Sequence, residues 1–284
     1  MSLKNKLRKI ARFILSSSSD KKVEINVSQI YSGEKLKGRN IVITGGGSGI
    51  GLSVAKKVVS EGAKVIIIGR NEKKLEQATK DIGKNCNYIK YDLDKINKFS
   101  ELIKKCEDKL NSEIDTLVCN AGVSLHENIY TNVTEESFDK QFNTNFKSTY
   151  FLSKAFLEYR EKKENKSTNL LIITSETGNQ CYDTPYGLTK AALNSFVRAF
   201  SRRVYKNGIR VNAIAPGVTA SDMTKDYADT SDGNYYRDCA SDRVFLPEEV
   251  AEVASFIISD AAKCISGEII HTNAGNHLNP FWKE

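Results

Sequence analysis

Short runs of β-branched and other apolar residues alternate along the chain with longer segments in which apolar residues recur every three or four positions. The short runs predict buried strands, at 41–43, 64–68, 88–91, 115–119, 169–174, 209–214 and 268–271. The longer segments predict helices, at 72–82, 96–110, 135–162, 185–206 and 247–259, with another helix after the first strand. This alternation is typical of an α/β fold with a doubly wound parallel β-sheet and helices on both faces.

The turn after the first predicted strand is dense in glycine. Residues 39–51 read RNIVITGGGSGIG, and an amphipathic helical pattern follows them. Without side chains at this point, the amides that open the helix can approach a pyrophosphate, and the positive end of the helix dipole faces the anion. Glycines also end strands for purely steric reasons, so the turn alone leaves both interpretations open.

Composition narrows the class of protein. The 284 residues are 40% hydrophobic and 27% charged, which fits one soluble α/β domain. The net charge of +7 is concentrated in a basic start that precedes the first acid, Asp20, so we expect no nucleic-acid partner. Six cysteines form no CxxC pair and the three histidines lie far apart, which predicts a reducing cytoplasm and no metal site.

Residues 1–37 are predicted to form a basic amphipathic extension ahead of the domain. Leu3, Leu7, Ile10 and Ile14 recur at helical spacing with basic residues between them. Such a helix can lie on an anionic membrane surface through residues 1–15 or pack on a partner subunit, while a disordered tail and an organellar targeting segment stay open. The apolar run is too short and too charged for a signal peptide or a membrane span.

Unusual motifs fall where the predicted strands end, which is where a doubly wound sheet binds ligands. They are TGGGSGIG at 44–51, NAG at 120–122, TS at 174–175 and APG at 215–217, with YGLTK at 186–190. In this order and spacing the motifs resemble the single-domain branch of the short-chain dehydrogenase/reductase family, from about residue 37 to 275. The resemblance implies a Rossmann-type catalytic domain at 38–276, followed by a tail at 277–284. It also implies a nicotinamide cofactor, a small-molecule carbonyl or alcohol substrate, and a homo-oligomer, a dimer or tetramer paired through the long helices.

Tyr186 and Lys190 are the strongest candidates for chemistry. They are four residues apart in a helical segment, so they project from one face and can act together. A free tyrosine, with a pKa of about 10, is a poor base at neutral pH, but a nearby ammonium favours its phenolate. The pair can then pass a proton to or from a carbonyl oxygen. Taken alone, the two residues would be better explained as the surface of an ordinary helix, and it is the other motifs that favour a chemical role.

The family resemblance assigns roles to two further residues. Ser175 matches the serine that hydrogen-bonds the substrate oxygen, and strand alternation predicts that the neighbouring Thr174 points away from the site. Asn145 matches the asparagine that holds a water for proton relay to the lysine, although a helix-kinking or capping asparagine is an alternative. The 11 residues from Ser175 to Tyr186 are fewer than the family's usual interval, which leaves the route of residues 179–183 open.

Cofactor preference depends on the end of the second strand. An acid there would bind the ribose hydroxyls of NAD(H), but the sequence is Gly69-Arg70-Asn71, and a guanidinium suits a 2′-phosphate. We therefore predict NADP(H) over NAD(H), although Ser48 occupies a loop position where many NADP-dependent relatives carry a second basic residue. The resemblance implies cofactor contacts from Gly45, Gly47, Ser48, Gly49, Ile50, Gly51, Arg70, Asp92, Leu93, Asn120, Ala121, Gly122, Tyr186, Lys190, Pro216, Gly217, Val218 and Ser221.

Residues 219–246 lose periodicity and become polar, which predicts a substrate lid. A small hydroxylated or polar substrate would suit the polar residues expected beneath it, and a 3-oxoacyl thioester is the other option. The candidate substrate contacts are Tyr227, Tyr235, Tyr236, Glu176, Asn179, Gln180 and His126. The predicted function is an NADP(H)-dependent oxidoreductase that interconverts a carbonyl and a secondary alcohol. A sensor or scaffold that binds NADP(H) without turnover is the alternative, and the intact Tyr, Lys, Ser and Asn set speaks against it.

Overall fold

All seven predicted strands form, and they pair side by side into one parallel sheet in the order β3-β2-β1-β4-β5-β6-β7. The computed structural model describes residues 33–163, 167–180, 182–225, 241 and 243–278. The strands are β1 (Asn40–Thr44), β2 (Lys64–Gly69), β3 (Cys86–Lys90), β4 (Thr116–Cys119), β5 (Thr168–Ile173), β6 (Ile209–Pro216) and β7 (Ile269–Thr272). The order reverses between β1 and β4, so a crevice opens at the carboxyl ends of these two strands.

Helices follow most of the strands. They are α1 (Gly49–Ser60), α2 (Glu72–Ile82), α3 (Phe99–Leu110), α4 (Glu135–Gln141), α5 (Ser148–Glu161), α6 (Pro185–Val204) and α7 (Pro247–Ile258). Short 3₁₀ turns at Glu176–Asn179 and Asn276–Leu278 lie at the end of the sheet where the predicted motifs meet.

Alternation along the strands divides the core into two layers. In β1, Val42 packs in a cluster with Leu102 of α3 and Leu193 of α6, whereas Ile41 packs in a second cluster with Val54 of α1. Both clusters are almost fully buried. Helices therefore cover both faces of the sheet, which confirms the predicted doubly wound fold.

One predicted helix is not regular. The segment 135–162, predicted as continuous, consists of α4, a π-helical turn at Phe142–Lys147, and α5. A π turn holds one extra residue, and it changes the direction in which the following side chains point. Asn145 lies in this turn and is 1% exposed, so the irregularity turns its side chain into the interior of the protein.

The folded domain extends by a few residues beyond both of its predicted boundaries. Leu36, which falls within the predicted extension, is fully buried, and its N–H donates to the carbonyl of Glu61 at 2.9 Å. Residues 1–32 of that extension lie outside the described part of the chain. Of the predicted tail, His277 and Leu278 belong to the last 3₁₀ turn. In the described residues, no helix is both long enough and apolar enough to cross a bilayer.

Candidate active site

A cleft of about 820 Å³ opens at the carboxyl ends of the strands. Most of the predicted site residues border it, and they come from the ends of β1, β2, β3, β4, β5 and β6 and from α6. They are Gly45, Ser48, Gly49, Ile50, Arg70, Asp92, Leu93, Asn120, Ala121, Gly122, Ser175, Tyr186, Lys190, Pro216, Gly217, Val218 and Ser221. Three predicted site residues do not border the cleft: Gly47, Gly51 and Asn145.

The glycine-rich turn is shaped to leave backbone amides open to the cleft. Gly45 and Gly49 have φ angles of 67° and 52°, which side chains rarely tolerate. Ser48, the N-cap of α1, makes no side-chain capping bond, and the first turn of α1 contains no acid. The positive end of the helix dipole therefore meets the cleft without a competing carboxylate, so a phosphate group fits here.

Gly51 is required by the packing beneath the turn. A β-carbon at Gly51 would collide with the carbonyl oxygen of Gly45 and with Nδ2 of Asn120. That same Nδ2 donates to the carbonyls of Thr44 and Gly45 at 3.1 and 3.2 Å, which ties β4 to the turn after β1. The absence of a side chain at Gly51 is thus what allows Asn120 to hold the turn in shape.

Lys190 is buried behind Tyr186. Its Nζ donates to the carbonyl of Ile173 at 3.0 Å and lies 5.5 Å from the centre of the Tyr186 ring. The side chain is almost completely enclosed, and this burial lowers the pKa of Lys190 from its ordinary 10.5 to about 8. At neutral pH the group still carries a proton, so a positive charge stands beside the phenol of Tyr186.

Asn145 supports the turn after β4. Its Oδ1 accepts from the N–H of Val123 at 2.8 Å, and its Nδ2 donates to the carbonyl of Val123 at 2.8 Å and to Oγ1 of Thr189 at 3.3 Å. A β-carbon at Gly122 would lie 3.3 Å from Oδ1 of Asn145 and 3.6 Å from Nζ of Lys190. The π turn and the absence of a side chain at Gly122 together bring Asn145 and Lys190 close. The predicted water relay stays a prediction.

Ser175 and Thr174 make different hydrogen bonds. Oγ1 of Thr174 donates to the carbonyl of Ile214 at 3.2 Å, so this hydroxyl joins β5 to β6. Oγ of Ser175 accepts from the N–H of Thr177 at 3.3 Å and keeps its own proton available for a further acceptor. The expectation that only one of them borders the cleft is wrong, because both do.

Two basic side chains, Arg70 and Lys74, follow the end of β2, and of these two Arg70 borders the cleft. Arg70 is exposed at the end of β2, where Asn71 caps α2 by accepting from the N–H of Lys74 at 3.1 Å. Lys74 pairs at 2.5 Å with Asp222, which borders the cleft, and this contact lowers the pKa of Asp222. A β-carbon at Gly47 would lie 3.6 Å from Cβ of Lys74, so Lys74 stands beside the glycine turn.

Several cleft residues were not predicted from the sequence. Most lie in loops directly after the strands, which is the signal that sequence reasoning had available. They are Gly69, Tyr91, Asp94, Val123, Ser124, Glu127, Asn128, Thr144, Ile173, Thr177, Tyr182, Thr184, Thr219, Asp222, Met223 and Thr224. Among the predicted substrate contacts, Glu176 and His126 border the cleft, whereas Asn179 and Gln180 do not.

The two ends of the predicted lid meet beside the cleft. Thr219 and Phe245 form an isolated parallel bridge, in which the N–H of Phe245 donates to the carbonyl of Val218 at 2.8 Å. Residues 221–224 continue from this bridge along the cleft. Tyr227, Tyr235 and Tyr236 lie outside the described residues.

Comparisons with known proteins agree with this geometry. A family model described as enoyl-(acyl carrier protein) reductase matches residues 45–277. The chain is 32% identical over 241 residues to a 3-oxoacyl-(acyl-carrier-protein) reductase of Rickettsia prowazekii, covering 84% of this chain and 97% of that protein. It is 31% identical over 266 residues to general stress protein 39 of Bacillus subtilis, covering 90% and 92%.

A solved structure has the same fold. The 3-ketoacyl-(acyl-carrier-protein) reductase from Brucella melitensis superposes with a TM-score of 0.78 over 85% of this chain and 99% of that chain, at 24% identity. The motifs at the strand ends, the cleft they enclose and these matches lead to one conclusion. The chain belongs to the short-chain dehydrogenase/reductase family and is an NAD(P)-dependent oxidoreductase that acts on CH–OH groups.

Proposed function

We propose that this oxidoreductase uses NADP(H) to interconvert a carbonyl and a secondary alcohol on a small polar substrate or a 3-oxoacyl substrate. The observation that carries the proposal is the pairing of Tyr186 with the buried ammonium of Lys190, 5.5 Å from the ring, in the cleft into which the glycine turn opens. A phenol and an anion site in one cleft are what a reductase of this family requires.

The residues present fit a dinucleotide. The glycine turn at 45–49 would hold the pyrophosphate, because a side chain at Gly45 would collide with the turn after β4 and the amides of α1 face the cleft. Asp92 and Leu93 would meet the adenine, and Val218 and Ser221 the carboxamide, since all four border the cleft. When bound, the nicotinamide supplies or accepts the hydride.

Side chains of the protein would carry out the proton transfer. Tyr186 would donate its phenolic proton to the substrate oxygen during reduction and receive it back during oxidation. The ammonium of Lys190 favours the phenolate that results, because opposite charges attract strongly where water is excluded. The hydroxyl of Ser175 would donate a hydrogen bond to the same oxygen, and Asn145 would keep the 120–123 turn in position for both.

Cofactor oxidation in the presence of a carbonyl panel tests this function. The panel holds simple ketones, hydroxyketones and a 3-oxoacyl thioester, which represents the substrate named for the relatives with reductase names. Absorbance of the reduced nicotinamide reports turnover, and a separate fluorescence titration reports binding. Cofactor binding without turnover of any carbonyl would favour the sensor or scaffold alternative.

Replacing Arg70 with alanine is expected to weaken NADPH binding selectively. A charge-assisted hydrogen bond contributes about 1.5–3 kcal/mol, so the Kd for NADPH should rise about 10- to 100-fold while that for NADH stays nearly constant. Fluorescence titration with each cofactor measures both values. Lys73→Ala is the matched control, since Lys73 is an exposed cation on α2 that does not border the cleft.

A second variant, at Lys74, tests the same preference for NADP(H). The Cβ of Lys74 lies beside the glycine turn, where Ser48 lacks a positive charge, and its ammonium pairs with the cleft residue Asp222, so Lys74→Ala should also weaken NADPH more than NADH. The effect should be smaller than that of Arg70→Ala because Asp222 already neutralises Lys74. Equal loss of both cofactors in the Arg70 variant would contradict the preference for NADP(H).

We also propose a homo-oligomer in the cytoplasm. Phe151 of α5 and Leu188 of α6 are 38% and 42% exposed, on the two helices through which pairing was predicted. Cys86, Cys106 and Cys119 are buried as free thiols, and burial raises the pKa of each. Light scattering during gel filtration tests the assembly, and the mass of a dimer or tetramer is expected.

Liposome co-sedimentation of the full chain tests whether residues 1–15 reach a membrane surface.

A further inference from the structure

A buried carboxylate lies in the 3₁₀ turn that follows the proposed oxygen-binding serine. Glu176 follows Ser175 in the chain, and both residues border the cleft. Glu176 is only 6% exposed, so its charge is placed where water has little access. Burying a carboxylate costs free energy unless hydrogen-bond donors surround it, so its partners show what it is built to accept.

Two amides from the segment after β7 hold one oxygen of this carboxylate. Nδ2 of Asn273 donates to Oε2 at 2.9 Å, and Nδ2 of Asn276 donates to the same Oε2 at 3.1 Å. The amide orientation of Asn273 is fixed, because its Oδ1 accepts from the N–H of Gly275 at 3.2 Å. The carboxylate is thereby locked in one orientation.

The second oxygen remains available. Among the described residues, both of the hydrogen bonds to Glu176 end on Oε2, and no lysine or arginine forms an ion pair with it. An ionised carboxylate only accepts hydrogen bonds, and it has room for about four. Oε1 can therefore accept a donor supplied by a molecule in the cleft.

The charge of Glu176 reaches the space where a substrate would bind. Tyr182 borders the cleft, and its pKa is raised by burial and by the negative charge of Glu176. An anionic group near this position would be repelled. A substrate ammonium would in turn be repelled by Lys190, which borders the same cleft. A neutral donor satisfies both constraints.

Resting on the proposed function, we propose that Glu176 is a specificity-determining residue that accepts a hydrogen bond from a hydroxyl next to the reacting carbonyl. The substrate class is then a hydroxyketone and the corresponding polyol. A 3-oxoacyl thioester carries a methylene and a thioester beside its ketone, neither of which donates a hydrogen bond, so it would leave Oε1 unpaired. A site built for a hydroxyl rejects an analogue that lacks one.

Matched substrate pairs test this inference in the full-length protein. The ratio of kcat/KM for hydroxyacetone over acetone, and for erythrulose over 2-butanone, is measured with NADPH in the wild type and in Glu176→Gln. We expect the wild type to prefer each hydroxyketone about 10- to 100-fold and the variant to lose about tenfold of that preference, mainly through KM. Glu268→Gln, an exposed carboxylate at the other end of β7, should keep the wild-type ratio.

The outcomes separate this inference from the proposed function. Turnover of ketones with no hydroxyl preference, or with a preference that Glu176→Gln leaves intact, overturns the role of Glu176 and leaves the oxidoreductase proposal standing. A higher kcat/KM for the 3-oxoacyl thioester than for every hydroxyketone would also overturn the role of Glu176 and leave the oxidoreductase proposal standing. Turnover of no carbonyl by the wild type overturns both. NADPH affinity and melting temperature verify folding, and Glu176→Asp, which withdraws the carboxylate by one methylene, decides the question should Glu176→Gln not fold.

Discussion

Tyr186→Phe is expected to lower kcat by about 10²- to 10⁴-fold, the usual contribution of a positioned proton donor. The substitution removes one oxygen and keeps the ring that borders the cleft beside Lys190. Because the ring retains its packing, NADPH binding and melting temperature should change little. Steady-state turnover with the best carbonyl of the panel gives kcat, and fluorescence titration gives the Kd.

Tyr205→Phe provides the control for this loss. Tyr205 follows the end of α6, is 50% exposed and does not border the cleft, so removal of its hydroxyl should leave kcat unchanged. A Tyr186→Phe protein that retained more than about a tenth of wild-type kcat would contradict the role of the phenol as proton donor. In that event Ser175 would be the next hydroxyl to replace.

The sequence predicted the sheet because most of the strands are short runs rich in apolar residues. Each of these runs became a strand within one or two residues of its expected bounds, and the glycine, Asn-Ala-Gly and Tyr-Lys motifs all reached one cleft. Burial on both faces is a local property of such runs in a parallel sheet, so it can be read from a single segment. Because the motifs lie at the ends of these strands, a correct prediction of the strands also predicts that the motifs meet at one edge of the sheet.

Contacts between residues that are distant in the sequence could not be predicted from local patterns. The apolar pattern of residues 135–162 predicts one continuous helix, and only the alternative of a helix-kinking Asn145 hinted at the π turn, because the contact of Asn145 with Val123 joins residues distant in sequence. A basic side chain packed beside the glycine turn comes from Lys74 on another helix, although the turn itself offers only Ser48. Glu176 likewise depends on asparagines about 100 residues later. Pairings of this kind are set by tertiary packing.

Lys190→Met is expected to separate activity from stability. Loss of the ammonium should lower kcat/KM by about 10²- to 10³-fold, as for removal of a preorganised charge at a reacting group. The same change should raise the free energy of unfolding at pH 7, since holding this buried lysine charged with a pKa of about 8 costs on the order of 3 kcal/mol. Methionine fills a similar volume without a charge to desolvate, although it loses the bond to Ile173.

The sign of the pH dependence distinguishes this explanation from a simple packing effect. Between pH 8 and 10.5 the unfolded chain binds the lysine proton more tightly than the folded protein does, so this group makes the wild type more stable as pH rises through that window. The stability advantage of Lys190→Met should therefore be largest at pH 7 and shrink toward pH 10.5. Urea unfolding of both proteins across this range measures the difference.

Lys206, an exposed lysine just after the end of the same helix, provides the control. Lys206→Met changes the same chemical group in solvent, so its free energy of unfolding should differ from that of the wild type by little at any pH. A Lys190→Met protein that is less stable at pH 7, or whose advantage does not change with pH, would show that the ammonium is not strained by burial. The lysine would then favour the phenolate of Tyr186 less strongly, because the attraction between the two charges depends on the same exclusion of water that lowers the pKa of Lys190.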